Sequence, residues 1–184
     1  ISIICVMNIF YLDKDPKIAA RLHCDKHVVK MIIEYAQLMS TAHRMLDGEH
    51  YIDDSSGRRI QRWRLSGNAE ATLYKASHVN HPSAIWTRES AYNYHFLYKL
   101  FCSLCDEYTR RYGRVHATDE KLREILALPP KNIPINKRFF APPQAMPDDV
   151  KVADCVEAYQ NYYREYKKTF AKWTDRPTPA FMAN

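Results

Sequence analysis

The chain has no run of apolar residues long enough to cross a bilayer, which takes about 20 consecutive ones. It also lacks the cysteine spacing of a disulfide framework: Cys5, Cys24, Cys102, Cys105 and Cys155 are odd in number and widely scattered. Membrane-spanning and disulfide-stapled classes are therefore disfavoured, and reduced thiols in a cytoplasm fit best. Cys102 and Cys105 form a C-x-x-C, but it lies inside the apolar helical run from Tyr98 to Tyr108 and has no second cysteine pair, so packing is its expected role. No internal repeat, low-complexity tract or linker divides the sequence. The opening Ile1 to Val6 is apolar but too short, and lacks the basic flank, for a signal peptide. Met7-Asn-Ile-Phe-Tyr-Leu12 reads like a natural start, which would make residues 1–6 an upstream extension.

What is present is enough for a buried core. With 184 residues, 46% of them hydrophobic, the expectation is a single domain over 1–184 rather than two. The 27 Lys and Arg against 21 Asp and Glu give a formal charge of +6, which favours an anionic partner such as nucleic acid.

Local signals outline a mainly α, compact helical bundle with a small β-hairpin. Ile9 to Leu12 is β-prone and short. Asp15-Pro16 then supplies an N-cap and a first-turn proline, so a helix starts there, breaks or continues near Cys24-Asp25, and stops at Asp47-Gly48. Residues 50–65 hold two β-prone runs around a Ser-Gly turn, an exposed hairpin. A polar connection leads to Asn80-His81-Pro82 and one long helix to Tyr112, with Ile85, Phe96, Leu100, Leu104 and Tyr108 inward and Gly113 ending it. Thr118 caps a shorter helix that closes before Pro129-Pro130. The six prolines from Pro129 to Pro147 predict an irregular docked loop that buries Phe139, Phe140 and Met146. A last helix from Asp154 to Trp173 carries Tyr159, Tyr162, Tyr166, Phe170 and Trp173 on one stripe, with Arg164, Lys167, Lys168 and Lys172 opposite.

The segment from His23 to Thr41 concentrates the chemistry. His27, Lys30, Glu34, Gln37 and Thr41 are spaced three, four, three and four apart, one row along a helix otherwise made of Val28, Val29, Met31, Ile32, Ile33, Ala36, Leu38 and Met39. A carboxylate in such surroundings can act as a general base or stabilise a developing cation, so Glu34 is the first catalytic candidate, with His27 tuning it. Lys30, one turn away, is the nearest amine and a candidate nucleophile. A structural polar network between buried helices would produce the same pattern. His23 joins the catalytic set because His23 and His27 have the i, i+4 spacing of a metal pair, to which Glu34, His43 or His81 can add a ligand; His-Cys-Asp-Lys-His, however, lacks the glutamate of the zinc hydrolase motif, and no metal or other cofactor is expected.

Arg58, Arg59, Arg62 and Arg64, interleaved with Trp63, form the densest basic patch. Such a patch offers charges to phosphates and a ring to a base, although a plain solvated hairpin would read alike. At the start of the second long helix, Trp86 and Arg88 offer a second stacking and phosphate-pairing combination, against a core tryptophan and a surface ion pair.

Asp25-Lys-His27-Val-Val-Lys-Met-Ile-Ile-Glu34-Tyr-Ala-Gln-Leu38 resembles the catalytic helix of the pyrimidine-dimer DNA glycosylases, phage repair enzymes of the endonuclease V type. His95 to Gly113, ending Asp-Glu-Tyr-Thr-Arg-Arg-Tyr-Gly, is similar to a long helix of that family, and Arg176-Pro-Thr178 to a fragment near its carboxyl terminus. Together these cover under half of the chain. The resemblance implies a compact helical, metal-free enzyme acting on DNA, in which an amino-terminal amine expels a base through an imine and a glutamate, here Glu34, assists strand cleavage. Asn8 replaces the family's small residue after the initiator, and Ile33 and Gln37 stand where the family has arginines. The functional expectation is a base-excising DNA glycosylase with lyase activity. A non-catalytic nucleic-acid-binding or inhibitory protein and a His-ligated metal hydrolase are the alternatives.

Overall fold

The computed structural model describes residues 7–183. The Ile1 to Val6 extension and Cys5 lie outside them. The protein is mainly α-helical with one small antiparallel sheet. Its α-helices are α1 (Pro16–Leu22), α2 (Asp25–Asp47), α3 (Gly67–Thr72), α4 (Pro82–Glu89), α5 (Ala91–Tyr112), α6 (Ala117–Leu126) and α7 (Cys155–Tyr162). Strands β1 (Glu49–Asp53) and β2 (Ile60–Arg64) form the hairpin between α2 and α3, with Tyr51 opposite Arg62. No helix among the described residues is long and apolar enough to cross a membrane.

Two helices are central. α2 packs against α4, α5 and α6, and α1 lies along α5. One cluster of buried side chains runs from Met7 to Tyr163. Its largest members include Tyr35, Tyr94, Tyr159 and Tyr163, whose hydroxyls must find partners inside the protein. Tyr94 illustrates the solution: its hydroxyl donates to the Leu126 carbonyl at 2.8 Å and lies 2.9 Å from His43 Nε2, joining α5 to α6 and α2.

Side chains and caps set the breaks. Asp15 accepts from the Lys17 N–H with Pro16 in the first turn, so α1 starts where the sequence places it. It ends at His23, and the Cys24 N–H, instead of continuing the helix, donates to the Tyr163 hydroxyl at 3.2 Å. The expected long helix from Pro82 is in fact two. At Ser90 the backbone turns extended, and the Ser90 hydroxyl both accepts from the Tyr92 N–H and donates to the Lys137 carbonyl, which caps α5 and pins the distant loop.

Several expectations are corrected by these contacts. Ile9 to Leu12 is a buried irregular segment with no sheet partner among the described residues; the Phe10 N–H donates to the Tyr35 hydroxyl instead. The connection before Asn80 contains the short helix α3. Ile85 is exposed, because the break at Ser90 separates its helical phase from that of α5. In the proline-rich loop Phe139 packs on the core but Phe140 remains exposed. The last helix widens into a π-turn over Tyr163–Lys167, shifting its phase, so Tyr163 is fully buried while Tyr166 is exposed. On α2, Val29 and Ile33 are exposed, so that helix keeps one open face.

Candidate active site and nucleic-acid surface

The polar row of α2 divides into three environments. At its start, His27 is buried against aromatic rings: Phe10 stacks on it at 4.3 Å, and the Tyr163 hydroxyl lies 2.6 Å from its Nδ1. Burial, reinforced by the charges of His23, Lys167, Lys30 and Lys26, pushes its pKa down to about 2. The ring is neutral at physiological pH. His27 is therefore a neutral ring held in an aromatic cage, and it does not act on Glu34 as a charge.

His23 is deeper still. Its Nδ1 donates to the Ala19 carbonyl at 2.6 Å, leaving Nε2 to accept from the Tyr35 hydroxyl at 2.7 Å. Burial outweighs the Ala19 bond, and the nearby Arg111 charge helps to lower the pKa to about 4. With both nitrogens engaged, His23 is a core strut, and neither the catalytic nor the metal-ligand reading of it stands. Among the described residues no group of three or more His, Cys, Asp and Glu side chains is placed to hold a metal ion.

The middle of the row differs. Lys30 is half exposed, and its Nζ lies 3.4 Å from Glu34 Oε1. The Glu34 side chain is only 12% exposed, and its second oxygen, Oε2, is out of solvent. A half-buried carboxylate thus meets an amine that solvent, and so a substrate, can reach. Farther along, Gln37 donates to the Lys75 carbonyl at 2.6 Å, and Thr41 exchanges hydrogen bonds with the backbone of Ser77. These two residues dock the chain between α3 and α4 onto α2. Gln37 and Thr41 do structural work, while Lys30 and Glu34 remain as the candidate pair.

The hairpin arginines also separate. Arg58 and Arg59 stand exposed at the turn. Arg62 approaches Asp53 at 3.7 Å, Arg64 lies over the Tyr51 ring at 4.2 Å, and half-buried Trp63 packs against His50. Two of the four arginines are thus free to meet phosphates directly. Trp86 is corrected to a core residue: it is 4% exposed, and its Nε1 donates to the Phe140 carbonyl at 2.9 Å, so it cannot stack on a base. Arg88 is half-buried. Burial lowers its pKa, and Nη1 is out of solvent with no hydrogen-bond partner among the described residues. A desolvated guanidinium donor of this kind favours an anionic acceptor.

Some residues that organise the site escaped sequence reasoning. Arg44, buried on α2, donates to the carbonyls of Trp63, Glu70, Leu73 and Tyr74 and to the Glu70 carboxylate, tying hairpin, α3 and α2 together. Glu107 accepts from Arg111 and Arg176, while Arg111 also reaches Asp25. The signal for the second cluster was available, since Glu107 and Arg111 are a charged i, i+4 pair inside an apolar helix. Of the cysteines, Cys24, Cys102, Cys105 and Cys155 are free thiols, and burial pushes each pKa up, away from reactive thiolate. No family model, no curated protein and no solved structure matches the chain, so the functional reading rests on its own residues.

Proposed function

We propose that the protein is a DNA-processing enzyme, a base-excising glycosylase with lyase activity, whose reacting pair is Lys30 and Glu34. The single observation carrying this reading is the 3.4 Å approach of a half-exposed amine to a carboxylate that is only 12% exposed. In such a pair the carboxylate can accept the ammonium proton once substrate excludes water. The freed amine attacks the sugar carbon C1′. A C–N bond forms, the bond from C1′ to the base breaks, and the base leaves with that electron pair and takes up a proton. Ring opening gives an imine, from which elimination cleaves the strand, and water then releases the amine. Net charge of +6 and exposed Arg58 and Arg59 supply contacts for phosphates. Reduced thiols suit a cytoplasmic setting.

Borohydride added to the protein with DNA carrying abasic or modified sites tests the imine. The expected result is a covalent adduct that Lys30→Ala removes, and a loss of base release of about 100-fold or more in Glu34→Gln, the usual scale for a general base. No adduct, with unchanged base release in a folded Glu34→Gln variant, overturns the mechanism. One observation favours a second reading, a non-catalytic nucleic-acid-binding protein: an i, i+4 Lys–Glu pair is also an ordinary helix-surface feature worth about 0.3–0.5 kcal/mol. That reading expects tight DNA binding, weakened by Arg58→Ala with Arg59→Ala, and no turnover.

A further inference from the structure

The turn between α4 and α5 and the loop of residues 134–140 build a second exposed surface. Tyr92 is 58% exposed and Phe140 45%, although both lie on hydrogen-bonded backbone. Four hydrogen bonds fix that backbone. The Ala91 N–H donates to the Pro134 carbonyl at 2.9 Å, and the Ser90 hydroxyl to the Lys137 carbonyl at 2.9 Å. The Phe140 N–H donates to Asn93 Oδ1 at 3.2 Å, and the Phe140 carbonyl accepts from Trp86 Nε1 at 2.9 Å. The groove beside this loop, about 380 Å³, is lined by Tyr92, Ile135, Asn136, Lys137, Arg138 and Phe139, with no acidic side chain. Arg138 lies over the Phe140 ring at 4.9 Å.

One exposed ring at the start of α5 and another on the pinned loop, beside two cations, have a specific chemistry. Each ring offers a face to a base, and each cation a contact to the phosphate beside it. An apolar protein partner would leave Lys137 and Arg138 unpaired at its edge. A duplex would keep its bases stacked and beyond reach of the rings. We infer that this surface binds a single-stranded stretch of nucleic acid, with bases stacking on Tyr92 and Phe140 and phosphates meeting Lys137 and Arg138.

On its inward side the loop joins the core. Phe139 packs against Tyr11 at 6.4 Å, and the neighbouring Phe10 stacks on His27, one turn before Lys30.

Equilibrium binding of a fluorescent single-stranded oligonucleotide, with the matching duplex as comparison, tests the inference in the Glu34→Gln protein, so that turnover does not enter. Phe140→Ala keeps both backbone hydrogen bonds, and Tyr92→Ala alters an exposed side chain, so both variants are expected to fold; thermal melting checks this. Each should weaken single-strand binding about 5- to 100-fold, the scale of one lost stack, and leave duplex binding within about twofold. Lys137→Ala with Arg138→Ala should reduce the salt dependence of single-strand binding by roughly 1.4 in slope, two contacts at about 0.7 each. Unchanged single-strand affinity in both aromatic variants, or equal losses for duplex, overturns the proposal. Imine trapping reports on Lys30 and Glu34 alone, so failure of the catalytic reading and failure of this one are told apart.

Discussion

At the scale of single residues, burial decides which of the polar side chains on and beside α2 can do chemistry. His23 and His27 are as titratable in the sequence as any histidine, yet the fold holds them neutral, with pKa values near 4 and 2. The unfolded chain takes up these protons near pH 6.5, and the folded protein does so only at much lower pH. Their contribution to stability is therefore complete above about pH 6.5 and is lost as pH falls, toward about 4 for His23 and about 2 for His27. His43, His81 and His116, also shifted down by burial, titrate in the same direction. Urea midpoints measured between pH 7 and 4 should drop steadily, each refused proton contributing up to about 1.4 kcal/mol per pH unit. His23→Gln can still donate to Ala19 and accept from Tyr35, but it does not titrate. Its stability should fall less steeply over that window, by up to one proton's worth of slope. A slope equal to that of the parent would show that His23 is not the group excluded.

At the scale of elements, what could be read from the sequence was whatever depended on neighbours along the chain. Asp15-Pro16 starts α1, the Ser-Gly turn folds the hairpin, and Gly113 ends α5, each through local backbone chemistry. What could not be read depended on distant partners. The break at Ser90 is fixed by the Lys137 carbonyl and that at Cys24 by the Tyr163 hydroxyl, 47 and 139 residues away. The same limit applies to the site. The spacing of Lys30 and Glu34 put them on one row, but only packing shows that Trp86 is covered and Tyr92 is not. Gly113 offers a clean test of the local part. Its φ of 69° is left-handed and nothing lies within 4 Å of where a Cβ would sit, so Gly113→Ala carries conformational strain without a clash. A loss of about 1 kcal/mol is expected, read as a lower urea midpoint with unchanged denaturant sensitivity. Gly113→Asn should lose less, since asparagine tolerates this region better.

At the scale of the whole molecule, one charged cluster joins elements that the hydrophobic core alone would leave free to slide. Glu107 on α5 accepts from Arg111 at 3.1 Å and from Arg176 of the carboxyl-terminal segment at 2.7 Å. Arg111 also donates to the Arg21 carbonyl at the end of α1 and to Asp25 at the start of α2, and Asp25 accepts from both the N–H and the hydroxyl of Thr174. Burial by itself would raise the Glu107 pKa, but the hydrogen bond from Arg176 and the Arg111 charge hold it below the usual carboxylate range. The cluster sits where α1 passes into α2, a few residues before His27, so its register sets the angle at which α2 presents Lys30 and Glu34. Removing Glu107 should therefore cost more than its share of contacts, because buried Arg111 keeps only Asp25 and Arg176 loses its carboxylate. Glu107→Ala is expected to lose about 3 kcal/mol or more in urea unfolding, while Arg176→Ala, whose side chain is 21% exposed, should lose less. The Glu107→Ala loss should shrink as pH drops below the carboxylate range, since protonation empties the same interaction in the parent protein. If Glu107→Ala and Arg176→Ala cost the same and neither depends on pH, the cluster is an ordinary surface network rather than the clasp that orients α2.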